Sequence, residues 1–321
     1  MVVTGGLLLL IFRKFDPGRV ISAVEDARPF PLLLALAVSF FTNCWLAAVK
    51  WQKILSPLGL TLSFRESFLI KMGSGPLKSL LPFRTGEASR VIYLKRCHGF
   101  SVSRGTASIL IELFLNILIF LLFIVGGGVV CPGAPPGVVT VVALILAGVM
   151  LTFLLAARSA PRRWVRRFLS RIPNPRLRGG LETFFTLHRF FSRRQIGVFL
   201  FYSLVIQGGK LITFFLIGSA FRIAFSPVVY LVILPFSILI STIPVTILGI
   251  GLREGSLIEM VPAYTGLSAG SVLGPALVFS LVEYLFPAVL GLFWTGKFTR
   301  TLFVGKGETD TKQDGISATD Q

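Results

Sequence analysis

The sequence predicts an all-α membrane protein, a polytopic helical bundle of about seven or eight transmembrane elements that includes two broken or re-entrant helices. Hydrophobic residues make up 54% of the 321 residues, charged residues make up 14%, and the mean hydropathy is +0.81. A soluble domain usually carries roughly 25% charged residues. A chain of this size cannot bury so much Leu, Ile, Val and Phe in water, whereas lipid accepts apolar side chains on every face of a helix.

Continuous apolar runs of about 20 residues are candidate spans, because a helix rises about 1.5 Å per residue across a hydrocarbon core of about 30 Å. Five runs are uninterrupted: residues 29–49, 106–130, 137–157, 196–220 and 271–294. A sixth, residues 227–250, is apolar throughout but contains Pro235 and Pro244.

The N-terminal run from residue 2 to 12 adds a possible seventh span. It is followed at once by Arg13 and Lys14, and it lacks both a basic leading region and a small-residue cleavage site. These features favour a short or N-terminally clipped first span over a signal peptide.

The formal net charge of +18 does not indicate a nucleic-acid partner, because the Lys and Arg residues lie between the apolar runs. This distribution is typical of the positive-inside rule, reinforced by attraction to anionic lipid headgroups. We therefore expect a multi-pass protein of the cell (inner, cytoplasmic) membrane.

The loops predict the orientation. Residues 131–136 carry no charge and should face outward, and residues 84–104 are basic and should be cytoplasmic. The loop after residue 157 should be cytoplasmic too, although parts of it could instead lie as an interfacial amphipathic helix. Against a single Glu182 it holds eleven arginines: Arg158, Arg162, Arg163, Arg166, Arg167, Arg171, Arg176, Arg178, Arg189, Arg193 and Arg194.

The cysteines and histidines indicate no metal site, disulfide framework or cofactor. Cys44, Cys97 and Cys131 are scattered, without a CxxC pair or metal-ligand spacing. His98 and His188 lie in basic loops, where solvated side chains are the ordinary expectation.

Two segments combine a broken hydrophobic pattern with charge. Residues 63–72 predict a half-amphipathic helix that breaks at GSGP, residues 73–76, and resumes towards Arg84. Residues 241–256 (STIPVTILGIGLREGS) are interrupted by a proline and two glycines before Arg253. Broken backbone at membrane depth is tolerated only where it is buried in protein or lines a wet cavity. We therefore expect the two segments to lie close together.

The two segments also resemble each other. Ser79 to Pro82 leads to an arginine and a Gly-Glu pair, while Ser241 to Pro244 leads to Arg253 and a Glu-Gly pair. Interrupted hydrophobic segments in corresponding halves point to the binding site of a transporter, although so short a similarity can also arise by coincidence.

The same segments resemble a known family. The string LPFRTGEASRVIYLKRCHGFS (residues 81–101), followed by an apolar helix with Glu112, resembles the first signature of the lysylphosphatidylglycerol-synthase transmembrane-region family. The string IPVTILGIGLREG (residues 243–255) resembles the second. The resemblance extends from about residue 7 to residue 299, with both motifs in order among matching spans.

The resemblance implies a flippase-like membrane domain over residues 1–299, followed by a polar, disordered tail at 300–321. It implies translocation of an anionic or polyprenyl-linked lipid, with a membrane phospholipid or polyprenyl-phosphate lipid as partner and a separate lipid-modifying enzyme as a possible second partner. Some members carry a fused aminoacyl-transferase domain, which the short segment after the last span does not predict here. The family often has Glu-Arg and a further acid where this chain has Glu112, Leu113 and Asn116.

Phosphate loses its water in hydrocarbon, so a lipid-translocating protein needs cations that replace the hydration shell. Guanidinium groups bind phosphate through bidentate hydrogen bonds, and glycines let a headgroup approach the backbone. The candidate headgroup-binding residues are Arg84, Gly86, Glu87, Arg90, Arg253, Glu254 and Gly255, with Gly249 and Gly251 beside them. The alternative for Glu87 and Arg90, three residues apart on a helix, is a routine structural pair.

Three ionisable residues fall inside predicted spans: Glu112, Lys210 and Glu283. Each costs roughly 2.5 to 3.5 kcal/mol at a helix centre, so each should have a partner. Lys210 and Glu283 either form a salt bridge that locks two helices, or leave Glu283 to couple transport to a proton gradient. Glu112 is expected close to Arg84 and Arg90.

Two other functional classes stay open. A metal-dependent sugar transferase would use paired acids, but the aspartates lie in the N-terminal loop or the tail and no DxD occurs. The alternative is a glycosyl- or aminoacyl-lipid transferase, or an accessory subunit of one. Glu87 and Glu254 are the carboxylates that such an enzyme could use. The third class is a membrane scaffold that transports nothing. An enzyme is not the favoured interpretation.

Overall fold

The computed structural model describes residues 25–80, 85–157, 191–242, 249 and 251–304. Within these residues the regular secondary structure is entirely helical. The all-α class is therefore confirmed. The N-terminal run, most of the arginine-rich loop and the tail from residue 305 lie outside the described residues.

The α-helices are α1 (Pro29–Ser39), α2 (Ala47–Leu55), α3 (Phe64–Leu80), α4 (Thr85–His98), α5 (Val102–Val130), α6 (Pro136–Ala157), α7 (Arg193–Ala220), α8 (Leu234–Ser241), α9 (Leu252–Thr265), α10 (Ala269–Ser280) and α11 (Phe286–Val304). Among the described residues, three π-helical turns are interposed: π1 (Phe40–Leu46), π2 (Val229–Ile233) and π3 (Leu281–Leu285). A 3-10 turn, Ser56–Leu58, follows α2.

Four helical stretches of the described chain are long and apolar enough to cross a membrane: Pro29–Leu58, Val102–Val130, Arg193–Ala220 and Ala269–Leu302. They include the predicted spans at 29–49, 106–130, 196–220 and 271–294. Two shorter apolar segments are also helical: Pro136–Gly148, which is part of α6, and Val229–Ser241. The chain is a membrane protein with several apolar helices.

The chain divides into two compact units, which are described separately. Unit 1 comprises Met1–Ala47, Leu113–Arg162 and Arg193–Pro287. Unit 2 comprises Ala48–Glu112, Arg163–Ser192 and Ala288–Gln321.

In unit 1, α1 packs along α7 and aromatic rings fill the core. A Cβ atom on Gly209 of α7 would lie 3.1 Å from Cβ of Thr42, so glycine permits this close approach. Phe214 is fully buried; it stacks on Phe225 at 5.1 Å and meets Phe279 edge-on at 5.4 Å between ring centroids. Ring pairs of these geometries stabilise a packed interior beyond their buried area.

Two of the π-turns coincide with prolines. Pro235 has no N–H to donate to the carbonyl of Leu231 in π2, and Pro287 has none for the carbonyl of Glu283 in π3. Each proline thus removes one α-helical hydrogen bond at the place where the helix widens. Because π-turns of this kind occur frequently at functional sites, their positions bear on the site described below.

In unit 2, α3 packs against α4 and the start of α5. Trp51 is fully buried and donates its indole N–H to the hydroxyl of Ser108 at 3.3 Å. Gly86 lies directly against the backbone of α3, where a Cβ atom would overlap with Leu77 and Lys78. This glycine therefore serves helix packing.

The predicted break at residues 73–76 is wrong: α3 runs through them, with Pro76 inside the helix. Glycines on both helices instead allow α3 and α11 to pack closely. A Cβ on Gly73 of α3 would overlap with Phe298, and a Cβ on Gly291 of α11 would lie 2.8 Å from Cδ of Pro76. Thr295 donates to the carbonyl of Gly73 at 3.2 Å. Tertiary packing thus compensates for two glycines and a proline in one helix.

The second predicted interruption is confirmed. Helix α8 ends at Ser241 and α9 begins at Leu252. Between them, Gly249 and Gly251 have φ of 73° and 96°, which a residue with a side chain rarely adopts. The proximity of the two segments that were expected to be broken stays a prediction, because residues 81–84 and 243–248 lie outside the described residues.

Candidate functional site

A buried charge cluster lies in unit 2, where α3, α4 and α5 meet around Glu112. Lys71 of α3 pairs with Oε1 of Glu112, and Arg90 of α4 places Nη1 3.2 Å from Oε2. Arg90 also donates through Nε to the hydroxyl of Ser74 at 3.2 Å, and its guanidinium lies 5.6 Å from the ring centroid of Trp51. The expected proximity of Glu112 and Arg90 is confirmed.

Two further cations enlarge this cluster. Lys50 of α2 is only 1% exposed, and its positive charge acts on both Lys71 and Glu112. Lys78 of α3 pairs with Glu87 at 2.8 Å and is partly exposed. We call these six residues the basic cluster: Lys50, Lys71, Lys78, Arg90, Glu87 and Glu112. It holds four cations and two carboxylates.

The expected pair of Glu87 and Arg90 is the weakest ion pair of the basic cluster, with Nη2 4.0 Å from Oε1. Glu87 has its closer ionic contact with Lys78, and Arg90 has its closer contact with Glu112. The ion pair between Arg90 and Glu112 joins α4 to α5, whereas a pair between Glu87 and Arg90 would lie within α4 alone. Arg84 lies outside the described residues.

A second buried pair lies in unit 1, at the start of α9. Arg253 and Glu254 are both 0% exposed, with Nη2 3.0 Å from Oε1. The other carboxylate oxygen of Glu254 accepts the backbone N–H of Gly251 at 2.6 Å, which caps the helix start. The hydroxyl of Ser280 on α10 donates to Oε1 of Glu254 and accepts from Nε of Arg253 at 3.2 Å. Glu254 therefore holds the guanidinium in place.

Aromatic rings complete the environment of Arg253. Its guanidinium carbon lies 4.0 Å from the ring centroid of Tyr284 and 5.8 Å from that of Phe279. Such contacts stabilise a desolvated cation. Among the described residues, Nη1 of Arg253 has no hydrogen-bond partner. One end of the guanidinium thus retains donor capacity.

The glycines near Arg253 differ in what surrounds them. A Cβ on Gly249 would lie 2.6 Å from Cβ of Ser241, so this glycine is required for chain packing. Gly255 faces open space within the described residues, since nothing lies within 4 Å of a Cβ built there. Gly255 therefore has room for a headgroup to approach, whereas Gly86 and Gly249 do not.

Lys210 and Glu283 do not pair with each other within the described chain, so the salt bridge considered for them is wrong. The ammonium of Lys210 lies 5.4 Å from the ring centroid of Tyr284 and 5.9 Å from that of Phe120. Glu283 accepts a hydrogen bond from the Asn43 side chain at 2.7 Å. The aromatic rings offer Lys210 a partner that hydropathy does not reveal.

Several site residues could not be identified from the sequence. Lys50 follows the first apolar run directly and is easily interpreted as the end of a span, yet it is buried. Lys71 lies in a stretch of mixed polarity, where a cation gives no signal. Asn43, Ser280 and Tyr284 are uncharged, so the rule that singles out intramembrane charges passes over them.

Comparison with known proteins identifies the chain at family level. No curated protein matches it. The sequence model of the family described as "Lysylphosphatidylglycerol synthase TM region" matches residues 1–291, nearly the whole chain. This match agrees with the lipid-handling role implied by the two signatures. The chain belongs to the lysylphosphatidylglycerol synthase TM region family.

Proposed function

We propose that the protein translocates an anionic or polyprenyl-linked lipid between the two leaflets of the cell membrane. The carrying observation is the basic cluster of unit 2, in which the largely buried cations Lys71 and Arg90 converge on the one carboxylate of Glu112. Buried charges in proteins are ordinarily paired. Two cations that share one carboxylate are therefore suited to a ligand that supplies further negative charge.

A lipid phosphate fits this requirement. Its main barrier in a bilayer is the loss of hydration, and cationic donors replace water at its oxygens. Arg90 is held by Glu112 and Ser74, so its orientation is fixed before a ligand arrives. A fixed donor loses less conformational freedom on binding than a mobile one.

Arg253 is the second candidate contact, in unit 1. Its unpartnered Nη1 could donate to a phosphate oxygen, while Glu254 and Ser280 hold the other side of the guanidinium. Arg84, Glu87 and Gly255 remain candidate contacts from the sequence. A free phospholipid and a polyprenyl-phosphate share the phosphate that these donors would bind.

The test is lipid transfer in vesicles that contain the purified protein and a trace of phospholipid with a fluorescent headgroup. A membrane-impermeant reductant quenches the outer leaflet at once, and slower quenching reports transfer from the inner leaflet. Lys50→Gln and Arg90→Gln should slow transfer about tenfold or more, because each removes a charge-assisted hydrogen bond worth about 1.5–3 kcal/mol. Transfer at the unmodified rate in both variants would refute the proposal.

The matched control is Lys53→Gln, which removes the same charge from an exposed position of the same helix. It should leave transfer unchanged. If Lys50→Gln does not insert, Lys50→Arg keeps the charge at that position and should retain most of the activity. Excess unlabelled phospholipid or polyprenyl-phosphate, added separately, identifies the transported lipid by which of them competes.

A protein that transfers no lipid but modifies it would consume a labelled glycosyl or aminoacyl donor in the same vesicles. That result would favour the transferase interpretation. Inactivity in both assays would favour a scaffold.

A further inference from the structure

Glu283 differs from Glu87, Glu112 and Glu254 in having no cationic partner among the described residues. Glu112 pairs with Lys71 and Arg90, and Glu254 pairs with Arg253. Glu283 lies on π3 in unit 1 and is only 4% exposed, yet no ion pair reaches it within the described chain. A buried carboxylate without a counter-charge is costly in an apolar environment.

The surroundings of Glu283 satisfy one of its two oxygens. Asn43 donates from Nδ2 to Oε2 of Glu283 at 2.7 Å, and also approaches the hydroxyl of Ser39 at 3.2 Å. Ser39 in turn donates to the backbone carbonyl of Val282 at 2.9 Å. The second oxygen, Oε1, has no hydrogen-bond partner among the described residues. This network therefore positions the carboxylate and leaves one oxygen open.

The charged groups on neighbouring helices do not neutralise Glu283. Asn43 lies in π1, directly after α1. Neither of these two elements contains a charged residue. From α7, Lys210 directs its ammonium at the rings of Phe120 and Tyr284. From α9, Arg253 is paired with Glu254. Lys210 and Arg253 are thus engaged by other groups, and neither forms an ion pair with Glu283 among the described residues.

Both partners of the hydrogen bond lie in π-helical turns: Asn43 is in π1 and Glu283 is in π3. A π-turn inserts one residue beyond the α-helical count and so changes the direction of the side chains near it. The same backbone feature on two contacting helices thus coincides with the meeting of Asn43 and Glu283.

We propose that Glu283 and Asn43 form a binding site for a small monovalent cation, either a proton or Na⁺, at Oε1 of Glu283. A proton would convert Oε1 into a hydroxyl, and Na⁺ would take Oε1 as one of several oxygen ligands. Either cation neutralises the carboxylate. A divalent ion is a poorer match, since its double charge is ordinarily met by more than one carboxylate, and the described residues contain no group of three or more acidic, His or Cys side chains that could hold a metal ion.

The test uses dicyclohexylcarbodiimide, an apolar reagent that adds to carboxyl groups carrying a proton and remains attached to them. Purified protein is treated in sodium-free buffer over a range of pH, digested, and analysed by mass spectrometry. The expected result is selective labelling of the peptide that contains Glu283. The peptides with Glu112 and Glu254 serve as internal controls, because salt-bridged carboxylates should react at least tenfold more slowly.

Two arms identify the cation. If Na⁺ is the ligand, NaCl should suppress the labelling of Glu283 at constant pH and KCl should not. If a proton is the ligand, labelling should rise as the pH falls and should ignore NaCl. Absence of selective labelling at Glu283, or labelling that responds to neither pH nor Na⁺, would overturn the proposal.

Asn43→Ala adds a second measurement. It leaves the carboxyl group in place, removes the hydrogen bond at Oε2, and should shift the protecting Na⁺ concentration or the pH of half-labelling severalfold. Glu283→Gln should abolish the labelled peptide. The experiment requires no lipid transfer, so its failure and that of the translocation proposal are distinguishable.

Discussion

Arg90 and Glu112 form a buried ion pair in which Nη1 lies 3.2 Å from Oε2. Because the other oxygen of Glu112 is bound by Lys71, one carboxylate joins three helices of unit 2. Glu112 therefore has a double role: it stabilises the packing of α3, α4 and α5, and it sets the net charge of the basic cluster.

Glu112→Gln should destabilise the protein by about 3–5 kcal/mol, since it leaves two buried cations without their counter-charge. Thermal unfolding in detergent, compared with exposed Glu259→Gln, measures the effect. Equal midpoints for the two variants would show that the cluster does not depend on this carboxylate.

Gly86→Ala should disrupt the contact between α3 and α4, because the added Cβ overlaps with the backbone at Leu77 and Lys78. Overpacking of this kind costs about 1–3 kcal/mol. The matched control is Gly75→Ala on α3, where a Cβ meets nothing within 4 Å among the described residues. The control should be neutral or slightly stabilising in the same unfolding measurement, and a loss of stability of similar size in both would argue against backbone contact as the cause.

Arg253→Lys should reduce lipid transfer about tenfold or more although the positive charge is kept. An ammonium lacks the planar fork that reaches Glu254 and Ser280 together and lies flat over Tyr284. Arg222→Lys, at an exposed turn, is the control and should behave as the unmodified protein. Loss of insertion without a transfer defect in the inserted fraction would assign Arg253 a purely structural role.

The predicted orientation can be tested by cysteine labelling in intact cells. In a background without Cys44, Cys97 and Cys131, an impermeant thiol reagent should modify Pro132→Cys and leave Arg193→Cys unmodified until the membrane is opened. Both positions are exposed in the structure. The opposite pattern would reverse the assignment of sides.

The helical class and the positions of the apolar helices could be predicted from the sequence because lipid imposes a local requirement. An apolar residue is needed on every face for about 20 residues, and that condition is visible in a single segment. The continuity of α3 through Gly73 and Pro76 could not be predicted, since it depends on contact with Gly291 and Phe298, far along the chain. Local propensity indicated a break there, and tertiary packing overrode it.

The candidate site was predictable to the extent that charge in an apolar segment is conspicuous. Arg90, Glu112 and Arg253 could be identified in this way, and Glu112 was correctly expected near Arg90. The aromatic partner of Lys210 could not be identified from the sequence, because a hydropathy pattern does not distinguish an aromatic ring from any other apolar residue. The hydrogen bond from Asn43 to Glu283 was likewise hidden, since it joins two distant turns whose π geometry has no clear sequence signal.

Tyr284 lies under two cations at once, with its ring centroid 4.0 Å from the guanidinium carbon of Arg253 and 5.4 Å from the ammonium of Lys210. Like charges that share one ring repel each other, so the free energy of each depends on whether the other is neutralised. An anion held at Arg253 would therefore lie in the field of Lys210 as well, and replacing Lys210 by an uncharged residue would weaken its binding. The phenol ring thus couples α7 to α9 energetically, without requiring either helix to move.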